Sequence, residues 1–176
     1  MIQKLPAFAA VVAAALLFSS PALAKTNLIQ HTASARPQAP GPDPGTFEAK
    51  IEGFMRQAGY DFSRVKANSW YIILPGKEMP QIRIILGAGP GTIAIGAVAV
   101  PKRDLRLSSD ALVKLMKLSY DLNYVRVCLD PDEDLLVMAQ RKDPWLTLEE
   151  FKNTVSRVSS AADRAYAEMR PYLTQP

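Results

Sequence analysis

Glycines are concentrated at 87–91, where the sequence GAGPG could expose backbone amides to an anion. A dinucleotide-binding turn would need a third small residue where Thr92 stands, followed by a helix, but the next residues are typical of a strand. No P-loop lysine follows either. We therefore interpret 87–91 as a hairpin turn. The alternative is a small-ligand or anion site formed by this turn with Lys102 and Arg103.

Carboxylates alternate at Asp130, Asp132 and Asp134, like the first ligands of a calcium loop. The sixth position of such a loop should be glycine and is Leu135, and the twelfth should be glutamate and is Arg141. The sharp turn and the bidentate ligand are both missing. We interpret this segment as an acidic hairpin turn, and we predict no metal site and no cofactor.

Nucleophilic catalysis would need a serine or cysteine beside a base. The one cysteine, Cys128, lies in an apolar run and is predicted to be a small buried hydrophobe, with no second cysteine for a disulfide. The one histidine, His31, lies in a proline-rich segment without acidic or thiol neighbours. We predict no catalytic residues and no enzyme. Carboxylates brought together by the fold are the remaining route to a hydrolase.

Residues 1–24 have the parts of a secretory signal peptide in order. Lys4 precedes the apolar run FAAVVAAALLF at 8–18, and small residues end the segment at Ala24. The apolar run is shorter than the roughly 20 residues that span a bilayer. We predict cleavage after Ala24, a periplasmic or secreted mature chain, and no stable membrane insertion after cleavage.

The remaining chain is predicted to be one domain behind a tether. Residues 25–45 contain prolines at a density that opposes helices and sheets, so we expect an extended or disordered tether. The folded domain is expected at 46–172. The formal net charge of +4 is small, and the basic residues are dispersed. This argues against nucleic acid as a partner.

The domain pattern predicts an α+β fold with a mostly antiparallel five-stranded sheet. The predicted order is helix, three strands, helix, two strands, helix. Caps are predicted at Thr46, at Ser108 or Ser109, and at Thr147, where Glu150 completes a capping box. Strands are predicted at 70–74, 81–86, 92–100, 124–129 and 135–140, and residues 61–68 are predicted to be a connector.

The second predicted helix is apolar around more of its circumference than packing on one sheet requires. Its polar stripe is narrow and consists of Lys114, Lys117 and Asp121. Such a helix needs a second surface to cover it, so we predict an interface that pairs two copies of the chain. The candidate interface residues are Leu112, Leu115, Met116, Leu118 and Leu122.

From 112 to 172 the chain resembles the YbjN-like domain, a relative of the type III secretion chaperone fold. The matching parts are a leucine-rich helix ending at Asn123, an acidic turn between two strands, and a helix that starts with Leu-Thr-Leu-Glu-Glu-Phe at 146–151. Residues before 112 match by element order alone. The resemblance implies no agreed enzymatic activity, and it implies dimers that hold unfolded segments of partner proteins.

The predicted export separates this chain from those cytoplasmic chaperones, so only the fold and a binding habit carry over. The leading hypothesis is a non-enzymatic periplasmic module that binds an unknown protein or peptide, as a homodimer. The alternative remains the small-ligand or anion site at 87–91.

Overall fold

A computed structural model describes residues 46–174. The predicted signal peptide (1–24) and tether (25–45), including His31, lie outside the described residues. In chain order, the helices and strands are α1 (Phe47–Gln57), β1 (Phe62–Lys66), β2 (Ser69–Leu74), β3 (Ile82–Gly89), β4 (Thr92–Val100), α2 (Ser109–Asp121), β5 (Arg126–Leu129), β6 (Leu135–Lys142) and α3 (Leu148–Met169).

One antiparallel sheet contains six strands in the order β1-β2-β3-β4-β6-β5. The α+β class and the antiparallel sheet are confirmed, but the predicted number of five strands is wrong. The additional strand is β1, which lies within the predicted connector at 61–68. Phe62 of β1 pairs with Ile72 of β2, and the inner position Arg64 is a buried charge. A hydropathy pattern cannot distinguish such a strand from a loop.

All three predicted helix caps form. The hydroxyls of Thr46, Ser108 and Thr147 accept hydrogen bonds from the backbone N–H groups three residues later, at 3.1 to 3.2 Å. Glu150 is engaged elsewhere, since its carboxylate accepts a hydrogen bond from Arg141 Nε at 2.6 Å. The predicted capping box of α3 is therefore only half formed. The Thr147 hydroxyl caps the helix, but the Glu150 carboxylate pairs with Arg141 of β6.

Helix α3 crosses the centre of the sheet and contacts β3, β4 and β6. Small residues at Ala161, Ala162 and Ala165 allow it to approach the strands closely, while Phe151 and Val155 fill the core. Helices α1 and α2 flank α3, with α2 beside β5. The core therefore lies between one face of the sheet and this helical layer.

The opposite face of the sheet also carries apolar residues. Across it, Ile85 lies opposite Gly96, and Gly96 lies opposite Met138. Val98 pairs with Leu136 on the same face. This second apolar face explains why β3 and β4 lack the polar alternation of a sheet with one solvated side.

Candidate interaction surface

Helix α2 presents an exposed apolar stripe. Tyr120 is 90% exposed and Met116 is 74% exposed, and Leu112 and Val113 are also exposed. Leu112, Met116 and Tyr120 follow one another at four-residue spacing, which places them on one side of the helix. These four residues are called the α2 patch below. Large apolar side chains at this exposure mark a surface that a partner can cover.

The predicted interface residues divide between this patch and the core. Leu112 and Met116 belong to the α2 patch, whereas Leu115 is 8% exposed and Leu118 is 2% exposed. Leu122 is partly buried against the core. Because Leu115 and Leu118 are buried inside their own chain, they lie beneath the α2 patch and are not part of it.

Sequence reasoning missed Val113 and Tyr120 as members of the patch. The available signal was the four-residue spacing from Leu112 through Met116 to Tyr120, because a tyrosine at the third position continues an apolar stripe.

The buried side of α2 sets the rotation of the helix, and two surface ion pairs join it to α3. Lys114 Nζ lies 2.5 Å from Glu168 Oε2, and Arg164 Nη2 lies 3.1 Å from Asp121 Oδ2. The hydrogen bond from Lys114 lowers the pKa of Glu168, and burial opposes it less strongly. Two members of the predicted polar stripe of α2 therefore face α3. Turning them toward α3 leaves the α2 patch outward.

The glycine-rich turn and the cations proposed to complete it lie at opposite ends of β4. Gly91 lies in the turn, with a left-handed backbone at φ 61°, whereas Lys102 and Arg103 follow the far end of the strand. At about 3.3 Å per residue, β4 separates them by roughly 27 Å. Lys102 Nζ also lies 2.6 Å from Glu133 Oε2. The predicted combined anion site therefore does not form.

The acidic turn holds itself together. Asp130 Oδ1 accepts hydrogen bonds from the backbone N–H groups of Asp132 and Asp134, at 2.9 and 3.0 Å. Burial raises the pKa of Asp130, and the neighbouring carboxylates of Asp134 and Asp132 add to this effect. Within residues 46–174, no group of three or more histidine, cysteine or acidic side chains is arranged to hold a metal ion. The Asp130 carboxylate therefore shapes the turn.

Cys128 lies on the sheet face opposite the helices, paired with Leu136, and is partly buried. Burial raises the pKa of its thiol, although nearby Arg126 opposes this effect. The thiol is therefore held protonated near neutral pH, and this setting does not activate a nucleophile.

A buried ionic cluster joins α1 to the first two strands. The Glu52 carboxylate accepts hydrogen bonds from Trp70 Nε1 at 2.8 Å, from Arg64 Nε at 3.0 Å and from Arg56 Nη2 at 2.8 Å. Burial raises the pKa of Glu52, but these hydrogen bonds and the two arginines lower it by more. Because three donors hold the Glu52 carboxylate ionised, it is poorly suited to proton transfer. The cluster instead holds α1 against β1 and β2.

No helix among residues 46–174 is long and apolar enough to cross a membrane. No protein-family model matches the sequence, and no curated protein matches it.

Solved structures do share the fold. A chain of the heterodimeric ExoU–SpcU complex, from the type III secretion system of Pseudomonas aeruginosa, has 13% identity and a TM-score of 0.51, covering 69% of this chain and 98% of that one. YbjN from E. coli has 18% identity and a TM-score of 0.50, covering 70% of this chain and 92% of that one. The chain described here therefore has the YbjN-like, type III secretion chaperone-like fold that its sequence predicts.

Proposed function

We propose that this chain is a non-enzymatic binding protein that uses the α2 patch to pair with a second copy of itself, and that acts on protein or peptide partners outside the cytoplasm. The observation that best supports this proposal is the exposure of Met116 and Tyr120 on a helix whose opposite side is buried in the core. Aromatic residues and methionine are enriched at protein interfaces, where their large area is removed from water.

A second copy fits the patch by symmetry. In an antiparallel helix pair with a twofold axis at Met116, Leu112 of one copy lies against Tyr120 of the other. Each large side chain then meets an apolar one.

The comparison structures support a protein partner. One solved structure with this fold belongs to a heterodimeric complex. Within residues 46–174 the Cys128 thiol has a raised pKa, and no group of three or more histidine, cysteine or acidic side chains could hold a metal ion, so binding is the function that we propose.

Export remains part of the proposal and is supported by the sequence of residues 1–24. If the full chain is expressed in a bacterium, we expect N-terminal sequencing of the purified protein to begin at Lys25. An intact N-terminus on the protein from the soluble fraction would remove the periplasmic assignment.

Light scattering tests the pairing. We expect the purified protein to be a dimer and Met116→Glu to be a monomer, because each copy would bring a charge into the apolar centre of the interface. Val65→Glu is the matched control, since Val65 is also an exposed apolar residue but lies on β1, at the sheet edge opposite β5. A monomeric wild type would contradict the proposal.

A further inference from the structure

A groove of about 250 Å³ lies between α3 and the segment that joins α2 to β5. Three of its lining residues are apolar, and the others are polar or cationic. The apolar residues are Leu122, Val125 and Ala161, the cationic ones are Arg157 and Arg164, and Ser160 is one of the polar ones. None of the lining residues is acidic, so the groove combines an apolar floor with a positive rim.

Arg157 supplies the rim with hydrogen-bond donors that have no acceptor among residues 46–174. Its Cζ lies 4.3 Å from the ring centroid of Tyr124, a contact with an aromatic face that occupies no carboxylate or carbonyl oxygen. Among residues 46–174, no carboxylate lies within ion-pair distance of its guanidinium. A guanidinium offers donors in a planar fork that matches a carboxylate.

Tyr124 holds this arrangement at a cost to its own backbone. It is exposed, yet its φ is 67°, in the left-handed region that non-glycine residues avoid. Such strain persists where the surrounding structure requires it, and it recurs at binding sites. Here the strained backbone places the ring beside the Arg157 guanidinium.

We propose that this groove binds a peptide segment in which an acidic side chain stands next to an apolar one. The carboxylate pairs with Arg157, and the apolar side chain packs on Leu122, Val125 and Ala161. This inference rests on the proposed function and names the chemistry of a partner other than the second copy.

The second arginine extends the match along α3. Arg164 lies seven residues after Arg157, about 10 Å further along the helix. In a polyproline II segment, every third residue lies on the same face, about 9 Å apart. Arg164 pairs with Asp121 at 3.1 Å, but this pair is exposed and therefore contributes little stability. A second acidic residue of the peptide can replace Asp121 there.

The test uses isotope-labelled protein, purified after expression of the full chain, and NMR titration with three peptides. The acidic probe is Gly-Glu-Leu-Pro-Glu-Leu-Pro-Glu-Gly. The other two carry glutamine or lysine in place of each glutamate. We expect the acidic probe to shift the Arg157 Nε–H and Ser160 amide signals saturably, and the lysine peptide to leave them unchanged.

Substitutions of Arg157 test whether its guanidinium binds the acidic peptide. We expect Arg157→Gln to weaken binding of the acidic peptide about tenfold, and Arg157→Lys to restore part of it by keeping the charge. Arg106→Gln is the control, because Arg106 is an exposed arginine before the other end of α2, about 20 Å away. It should bind as the wild type does.

Several outcomes would overturn the inference. They are no shift at the groove with about 2 mM acidic peptide, equal binding of the glutamine peptide, equal binding by Arg157→Gln, and an equal response to inorganic phosphate. Failure of pairing is distinguishable, since Met116→Glu should abolish the dimer and leave binding of the acidic peptide intact. A dimer without a responsive groove would refute only the groove.

Discussion

The indole Nε1 of Trp70 donates a hydrogen bond to the Glu52 carboxylate at 2.8 Å, inside the domain, where Glu52 is 5% exposed. The same carboxylate is bound by Arg64, whose side chain is also buried. Three elements, α1, β1 and β2, therefore meet at one negative charge.

Glu52→Gln should destabilise the fold strongly. It leaves the Arg64 guanidinium buried without its counter-charge, which typically costs about 3–5 kcal/mol. Urea unfolding, followed by tryptophan fluorescence, measures this loss. The matched control is Glu133→Gln, which removes the exposed pair with Lys102 and should cost about 1 kcal/mol or less. Equal losses in the two variants would show that the cluster does not stabilise α1.

Asp163 of α3 binds the loop between β2 and β3. Its carboxylate accepts hydrogen bonds from the backbone N–H groups of Met79 at 2.8 Å, Glu78 at 2.9 Å and Lys77 at 3.0 Å. Burial raises the pKa of Asp163, but these donors lower it by more. A lowered pKa in the folded state stabilises the fold above the unfolded pKa, and this contribution is lost as the pH falls through the folded value.

Asp163→Asn should therefore lower the free energy of unfolding at pH 7 by about 1–3 kcal/mol. The difference from the wild type should begin to shrink below about pH 4, where the unfolded carboxyl takes up a proton, and should disappear as the pH falls through the lower folded pKa. Denaturant unfolding across pH 3 to 7 measures this. A difference that grows as the pH falls would contradict the assigned role of the carboxylate.

The same loop makes Gly76 intolerant of a side chain. A Cβ at Gly76 would lie 2.5 Å from Asp163 Oδ1 and 2.5 Å from the Met79 carbonyl oxygen. Gly76→Ala should cost about 1–3 kcal/mol, because the loop must move away from α3. Thermal unfolding measures the cost.

The matched control is Gly53→Ala, in α1. There the nearest atom to an added Cβ is Gln57 Nε2, at 3.9 Å. Replacing a glycine inside a helix should stabilise the fold by about 0.5–1 kcal/mol. If the two alanine variants shift the melting temperature in the same direction, the packing argument for Gly76 is wrong.

Helix boundaries were predictable here because each is encoded locally. Thr46, Ser108 and Thr147 cap their helices through residues three positions away. Strand β1 was missed because Arg64 occupies its inner position, and the partner that makes this burial possible, Glu52, lies on another element.

The exposed side of α2 was predicted only in part, because contacts with other elements determine it. Hydropathy indicated an apolar helix, but the packing of Ala111, Leu115 and Leu118 against residues distant in the chain decides which side of α2 faces the core. The contact between Asp163 and the loop at 77–79 joins residues more than 80 positions apart. Such contacts carry no local signal.

A cysteine at the centre of the α2 patch tests the proposed pairing most directly. In a Cys128→Ser background, Met116→Cys should form a disulfide-linked dimer under mild oxidation, because the twofold axis would bring the two copies of this position within the roughly 7 Å that a disulfide can span. Val65→Cys, on β1, should stay monomeric on a non-reducing gel. A Met116→Cys protein that remains monomeric, or that cross-links no faster than Val65→Cys, would contradict the account.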